Sequence, residues 1–140
     1  MNNKIIIYSE ENPKSEDLEK IFNHFELTYD ENMIIRKTVK SKNNSSFIDI
    51  LIDKNGKKFL CEITQTNENS SRNGNYQRPQ KFIQSNYYYP DSKKMIYVKG
   101  GYIVNTDSSK IAASLYYLNN ITCNYREDSK EFPKTLKSLI

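Results

Sequence analysis

The chain has 140 residues, of which 36% are hydrophobic and 27% charged, with a net charge of +4. That length suits a single domain with one modest core, and no apolar run reaches the ~18–20 residues that a bilayer-spanning helix needs. The apolar run at Ile5-Ile6-Ile7 is too short for a signal peptide, and two cysteines, Cys61 and Cys123, make neither a disulfide framework nor a zinc site. The expectation is an intracellular, cytoplasmic protein with both cysteines serving as small buried hydrophobes.

Charge is unevenly distributed. Residues 10–31 carry eight acids against Lys14 and Lys20, whereas residues 32–140 total +9. Two basic clusters contain no acid: Arg36, Lys37, Lys40 and Lys42, then Arg72, Arg78 and Lys81. A one-sided basic field fits a polyanion binder, and equally a lysine-rich solvated surface.

In chain order, residues 4–8 read as a short strand or an arm. Ser15 suits a helix N-cap, with Glu16 and Asp17 favourable in the first turn. Leu18, Ile21, Phe22 and Phe25 follow at the spacing of a core-facing stripe. His24, the only histidine in the sequence, lies off this stripe and reads as an exposed helix residue. Residues 33–39 form a strand, and 42–46 a polar loop.

A hairpin is expected over 47–54 and 57–66. Asn55-Gly56 is its two-residue loop, because both central positions of a type I′ turn need positive φ. Counting outward pairs Lys54 with Lys57 and brings Asp49 directly opposite Glu62, with Cα atoms about 4.5 Å apart as a non-hydrogen-bonded pair. The first arm is apolar on both faces, so both sides of the sheet should be covered. Residues 67–75 are a polar loop of functional length. A helix is expected over 76–87 with Pro79 in its first turn and Phe82, Ile83, Asn86 and Tyr87 as its stripe. Residues 95–98 make a strand, 102–104 extend it beyond Gly100-Gly101, and Ser108 or Ser109 caps a helix carrying Ile111, Leu115 and Leu118. The strand reached through the helical crossover should be parallel to its neighbour. The fold class is therefore α/β, a mixed sheet with helices on both faces.

Like charges placed opposite each other destabilise a sheet. Asp49 and Glu62 fit a divalent cation held between them, with the Ile63 carbonyl as a third oxygen, and also fit an acid pair splayed by twist and solvated. Mg²⁺ prefers such hard oxygen ligands, and it can orient a water against a phosphodiester without histidine or a covalent nucleophile. Glu16 or Glu19 on the first helix offers a further acid. Tyr87-Tyr88-Tyr89 fits base stacking or an amphipathic packed rim.

Helix, three strands, helix and strand, with Asp49 on the middle strand and Glu62-Ile63-Thr64 on the next, resembles the PD-(D/E)xK nuclease superfamily. That is the fold of type II restriction endonucleases and small Holliday-junction resolvases. The run from Gln65 to Asn73, then Tyr76-Gln77-Arg78 and Lys81-Phe82, looks more like the restriction-endonuclease homologues. The resemblance covers about residues 15–98. It implies a restriction-endonuclease-like αβββαβ core in a single domain over 1–140, with a C-terminal helix at about 108–120. It further implies a Mg²⁺-dependent (or Mn²⁺-dependent) endonuclease acting on double-stranded DNA through metal-activated water, as a homodimer that supplies one site per strand.

On that reading Asp49, Glu62 and Ile63 hold the metal. Asp49, Glu62, Thr64, Gln77 and Lys81 form the catalytic set, and Arg72, Asn73, Arg78 and Lys81 contact DNA. Thr64 departs from the pattern by standing where the family has lysine. Threonine only hydrogen-bonds, so the charge has to come from Lys81, with Gln77 on the same side; Lys58, about 13 Å along the strand, is too distant. A structure-selective nuclease of the junction-resolvase kind, and a catalytically inactive DNA-binding or regulatory domain, are the alternative functions.

Overall fold

The structure is a computed structural model that describes residues 4–39, 48–65, 80–99 and 118–123. These residues form β1 (Ile5–Ser9), α1 (Ser15–His24), β2 (Ile34–Thr38), β3 (Ile50–Lys54), β4 (Lys57–Gln65), β5 (Lys93–Lys99) and β6 (Ile121–Cys123), with a helix, α2, over 80–88. The expected extension at 102–104 and most of the expected helix at 108–120 lie outside the described residues.

The Asn55-Gly56 hairpin forms as the sequence dictates. Asn55 has φ 53° and Gly56 φ 88°, the left-handed conformations a type I′ loop demands. Asp53 Oδ1 accepts the Gly56 amide at 2.9 Å and Asp53 Oδ2 accepts Lys58 Nζ at 2.6 Å, so one carboxylate clamps both arms beside the turn. Pairing then runs from Lys54↔Lys57 through Leu51↔Leu60 to Ile50↔Cys61. The expected next pair, Asp49 with Glu62, is absent from the ladder: β3 starts at Ile50 and Asp49 sits in a bend.

The strands assemble as one mixed sheet in the order β2-β1-β3-β4-β5-β6. β4 and β5 are parallel, as a helical crossover requires, and β6 adds parallel to β5. The chain order α1-β2-β3-β4-α2-β5 follows expectation, but the spatial neighbours do not. β1 lies between β2 and β3, parallel to β2 and antiparallel to β3. Ile5 and Ile7 are 5% and 0% exposed, and such a strand is stable only inside a sheet. The possible arm is thus a central strand.

Helices cover both faces. Alternation sends Ile50, Ile52, Phe59 and Cys61 to the side where α1 packs with Leu18, Ile21 and Phe22. Leu51, Leu60 and Ile96 go to the other side, against Phe82 of α2. Each fully buried aliphatic or aromatic side chain contributes roughly 1.5–3 kcal/mol. Of the expected α2 stripe only Phe82 is buried; Ile83 is 46% and Tyr87 85% exposed. Tyr89, one residue beyond α2, packs against this core instead.

Two details of α1 differ from the sequence reading. Ser15 is its first helical residue rather than its cap, and Ser15 Oγ donates to Glu31 Oε1 at 2.6 Å. His24 is only partly exposed, with Nε2 2.8 Å from Thr122 Oγ1, because β6, which the sequence pattern did not reveal, passes beside it. The helix ends in a Schellman motif: the Glu26 amide donates to Asn23 and the Leu27 amide to Phe22 at 2.8 Å. Glu26 holds the left-handed position at φ 60°, where glycine is usual.

Candidate active site at the open end of the hairpin

The site forms where β3 gives way to the bend at Asp49. Leaving the ladder frees the backbone around Asp49 to turn, and two reciprocal bonds replace the missing strand pair. The Asp49 amide donates to Glu62 Oε2 at 2.8 Å, and the Ile63 amide donates to Asp49 Oδ2 at 2.8 Å. The two carboxylates are therefore neighbours, as expected, but through side-chain-to-backbone bonds rather than across a regular pair.

Glu62 is 1% exposed. Its Oε1 lies 2.9 Å from Lys81 Nζ, so Lys81 of α2 is the lysine the structure brings to the acid pair. Burial and the adjacent Asp49 carboxylate outweigh this cation and push the Glu62 carboxyl up to about 8. Glu62 therefore keeps its proton to a higher pH than a free carboxyl does.

A third acid comes from α1, and it is not one of those expected. Glu16 and Glu19 are exposed. Asp17 between them is 5% exposed, accepting from Tyr97 Oη at 3.1 Å and Lys99 Nζ at 3.2 Å. Burial, then Asp17, raises the Tyr97 phenol to about 12. Asp17 and Lys99 share a cleft of about 450 Å³ with Asp49 and Ile63. The sequence signal for Asp17 was its place on the helix: it lies next to Leu18 and four residues before Ile21, at the edge of the apolar stripe. Lys99 fell just beyond the strand expected over 95–98.

The remaining expected site residues divide clearly. Ile63, expected to offer its carbonyl to a metal, meets Asp49 through its amide, which donates to Asp49 Oδ2. Thr64 lies on β4 beside Val98 of β5, and its side chain is outside those described. Gln77, Arg72, Asn73 and Arg78 lie outside the described residues. Of the earlier basic cluster, Arg36 turns inward. It binds Glu31 Oε1 at 2.7 Å and the Pro13 carbonyl at 2.6 Å, tying β2 to the start of α1. Lys37 sits 5.8 Å over the Tyr8 ring, and Lys40 and Lys42 are outside the described residues.

The donor set fits a hard, oxygen-seeking divalent cation such as Mg²⁺, which takes one or two carboxylates and keeps several waters. Among the described residues no group of three or more His, Cys, Asp or Glu is placed to hold a metal ion. No described helix is long and apolar enough to cross a membrane. Comparison with family models, with curated proteins and with solved structures finds no match to the chain. The functional reading rests on the geometry of the site.

Proposed function

We propose that the chain is a Mg²⁺-dependent DNA endonuclease of restriction type, with a PD-(D/E)xK-like core, that hydrolyses phosphodiesters and acts as a homodimer in the cell interior. The observation that supports this most is the pairing of Glu62 with Asp49, with Lys81 at 2.9 Å. Burying a carboxylate beside another carboxylate is costly unless a positive charge is gained. A protein that accepts this cost at a sheet end beside an open cleft holds a ready cation site.

Asp49 and Glu62 would hold the cation, which supplies Lewis-acid stabilisation of the phosphoryl oxygens and an activated water. The chain's own groups do the rest. The Ile63 amide fixes Asp49 Oδ2, so that carboxylate keeps one orientation as substrate enters. The Asp49 amide fixes Glu62 in the same way. Glu62 would release its proton to solvent on holding the cation, and Lys81, 2.9 Å from Glu62 Oε1, would face the resulting carboxylate. Lys81 stands on the opposite side of the sheet from Lys99, so a phosphate at the acid pair meets an ammonium on the Glu62 side and the Asp17–Lys99 pair on the other.

The test is incubation of the wild type, Asp49→Ala and Glu62→Ala with supercoiled plasmid and Mg²⁺, followed by sequencing of the ends. Cleavage by the wild type and its loss in both folded variants is expected. Intact plasmid with the wild type in both Mg²⁺ and Mn²⁺, or cleavage that survives in both variants, rejects the proposal. A four-way junction run in parallel distinguishes a structure-selective nuclease. A catalytically silent DNA-binding domain is the second reading. The Lys81–Glu62 ion pair favours it, because that lysine already satisfies one oxygen of the acid.

A further inference from the structure

The opposite end of the same hairpin carries a second unusual charge pattern. Lys54 and Lys57 face each other in the last cross-strand pair, a placement that costs stability in a sheet. Lys93, the first residue of β5, pairs in register with Phe59 and so lies on the same face of the sheet, two residues along from the Lys54–Lys57 pair. These three lysines rim a cleft of about 850 Å³ whose floor includes Phe25 and Phe59, and Tyr88 lines its side. Phe25 and Phe59 are 7% and 5% exposed, whereas Tyr88 is 65% exposed. Lys58 is already neutralised by Asp53 at 2.6 Å. The cleft also contains Glu26 and Asp91, of which Asp91 acts on the buried Lys94.

An exposed ring beside a row of lysines is the combination that binds an unpaired nucleic-acid strand. Ammonium groups neutralise successive phosphates, and an aromatic face takes a base of any identity. A duplex presents no free base faces, and a run of acidic side chains alone would leave Tyr88 and the apolar floor unused. We propose that this cleft binds a single strand of nucleic acid, with phosphates on Lys54, Lys57 and Lys93 and a base stacked on Tyr88. The site lies apart from Asp49 and Glu62 and does not depend on their chemistry.

The experiment is fluorescence anisotropy of a labelled oligothymidylate with the full chain in EDTA, over a range of salt. The wild type should bind, and binding should weaken with salt. The doubly neutralised Lys54→Gln/Lys57→Gln protein should bind about tenfold more weakly with a shallower salt slope, by roughly 1.4 for two phosphates lost. Tyr88→Ala should lose about tenfold with the salt slope unchanged, and Tyr88→Phe should restore it. Lys20→Gln, an exposed lysine of α1 away from the cleft, should bind as the wild type does. Equal affinity in all variants, no binding by the wild type, or a loss in Lys20→Gln as large as in the double variant overturns the proposal; the last of these marks a diffuse charge attraction instead.

Discussion

Replacing Glu62 with glutamine should remove a pH dependence from the stability of the protein. Glu62 has an ordinary value of 4.5 and is held at about 8 in the folded chain. The folded state binds this proton more tightly than the unfolded state, so Glu62's contribution is whole below pH 4.5 and is lost as pH rises towards 8. At about 1.4 kcal/mol per pH unit, the loss across that window reaches at most about 5 kcal/mol. Glutamine imitates the protonated carboxyl, including an oxygen for Lys81, and carries no charge to desolvate. Urea unfolding of both proteins, repeated from about pH 5 to about pH 9, reads the difference. The variant should gain steadily on the wild type as pH rises. His24, which partial burial makes harder to protonate, titrates in both proteins and cancels from the comparison. Parallel curves, or a wild type that gains on the variant with rising pH, would refute the account of Glu62 as a carboxyl strained by burial and by Asp49.

Lys81→Met should push the Glu62 carboxyl higher still, since Lys81 is the group that lowers it; at pH 9 this variant should be about 3–5 kcal/mol less stable than the wild type, and at pH 5 much closer to it. Asp17→Asn weakens the acceptor shared by Tyr97 and Lys99 and should cost about 1–3 kcal/mol in urea unfolding at neutral pH. Glu26→Gly relieves a left-handed backbone at φ 60° and should raise stability by up to about 1 kcal/mol, seen as a higher urea midpoint with an unchanged slope.

Local chemistry was legible in the sequence wherever a short-range rule acts alone. Asn55-Gly56 dictated the turn, the turn dictated the register, and the register brought Asp49 and Glu62 together. The α1 stripe from Leu18 to Phe25 and the parallel β4–β5 pair follow from periodicity and connection length. What the sequence hid depends on neighbours distant in the chain. Nothing local tells whether Ile5–Ser9 lies inside a sheet or outside it, because that depends on β2 and β3 leaving a place for it. Three-residue β6 has no period to detect. Asp49 looked like a strand residue, since the bend that removes it from the ladder is held by the Ile63 amide and the Glu62 carboxylate. Asp17 looked like a helix-dipole residue, since its burial is set by Tyr97, eighty residues later in the chain. Fold class and acid pair were thus accessible, whereas the third acid and the strand order required the tertiary structure.

The hairpin carries like charges close together at both ends, acids at one and lysines at the other, and this has a consequence for the proposed cleavage. Lys57 and Glu62 are five residues apart on β4, about 17 Å along the strand, and face opposite sides of the sheet. At the ~3.4 Å spacing of a nucleic-acid strand in duplex, a path between them spans at least about five nucleotides. If an unpaired strand sits on Lys54, Lys57 and Lys93 while the acid pair cuts, breaks should fall at least about five nucleotides from the junction between single and double strand. A partial duplex labelled on each strand and resolved to the nucleotide measures this directly. Cuts clustered at that offset in the wild type, and scattered in Lys54→Gln/Lys57→Gln, are the expected result. Cuts with the same distribution in both proteins would mean that the two ends of the hairpin act on different molecules, whatever each of them binds.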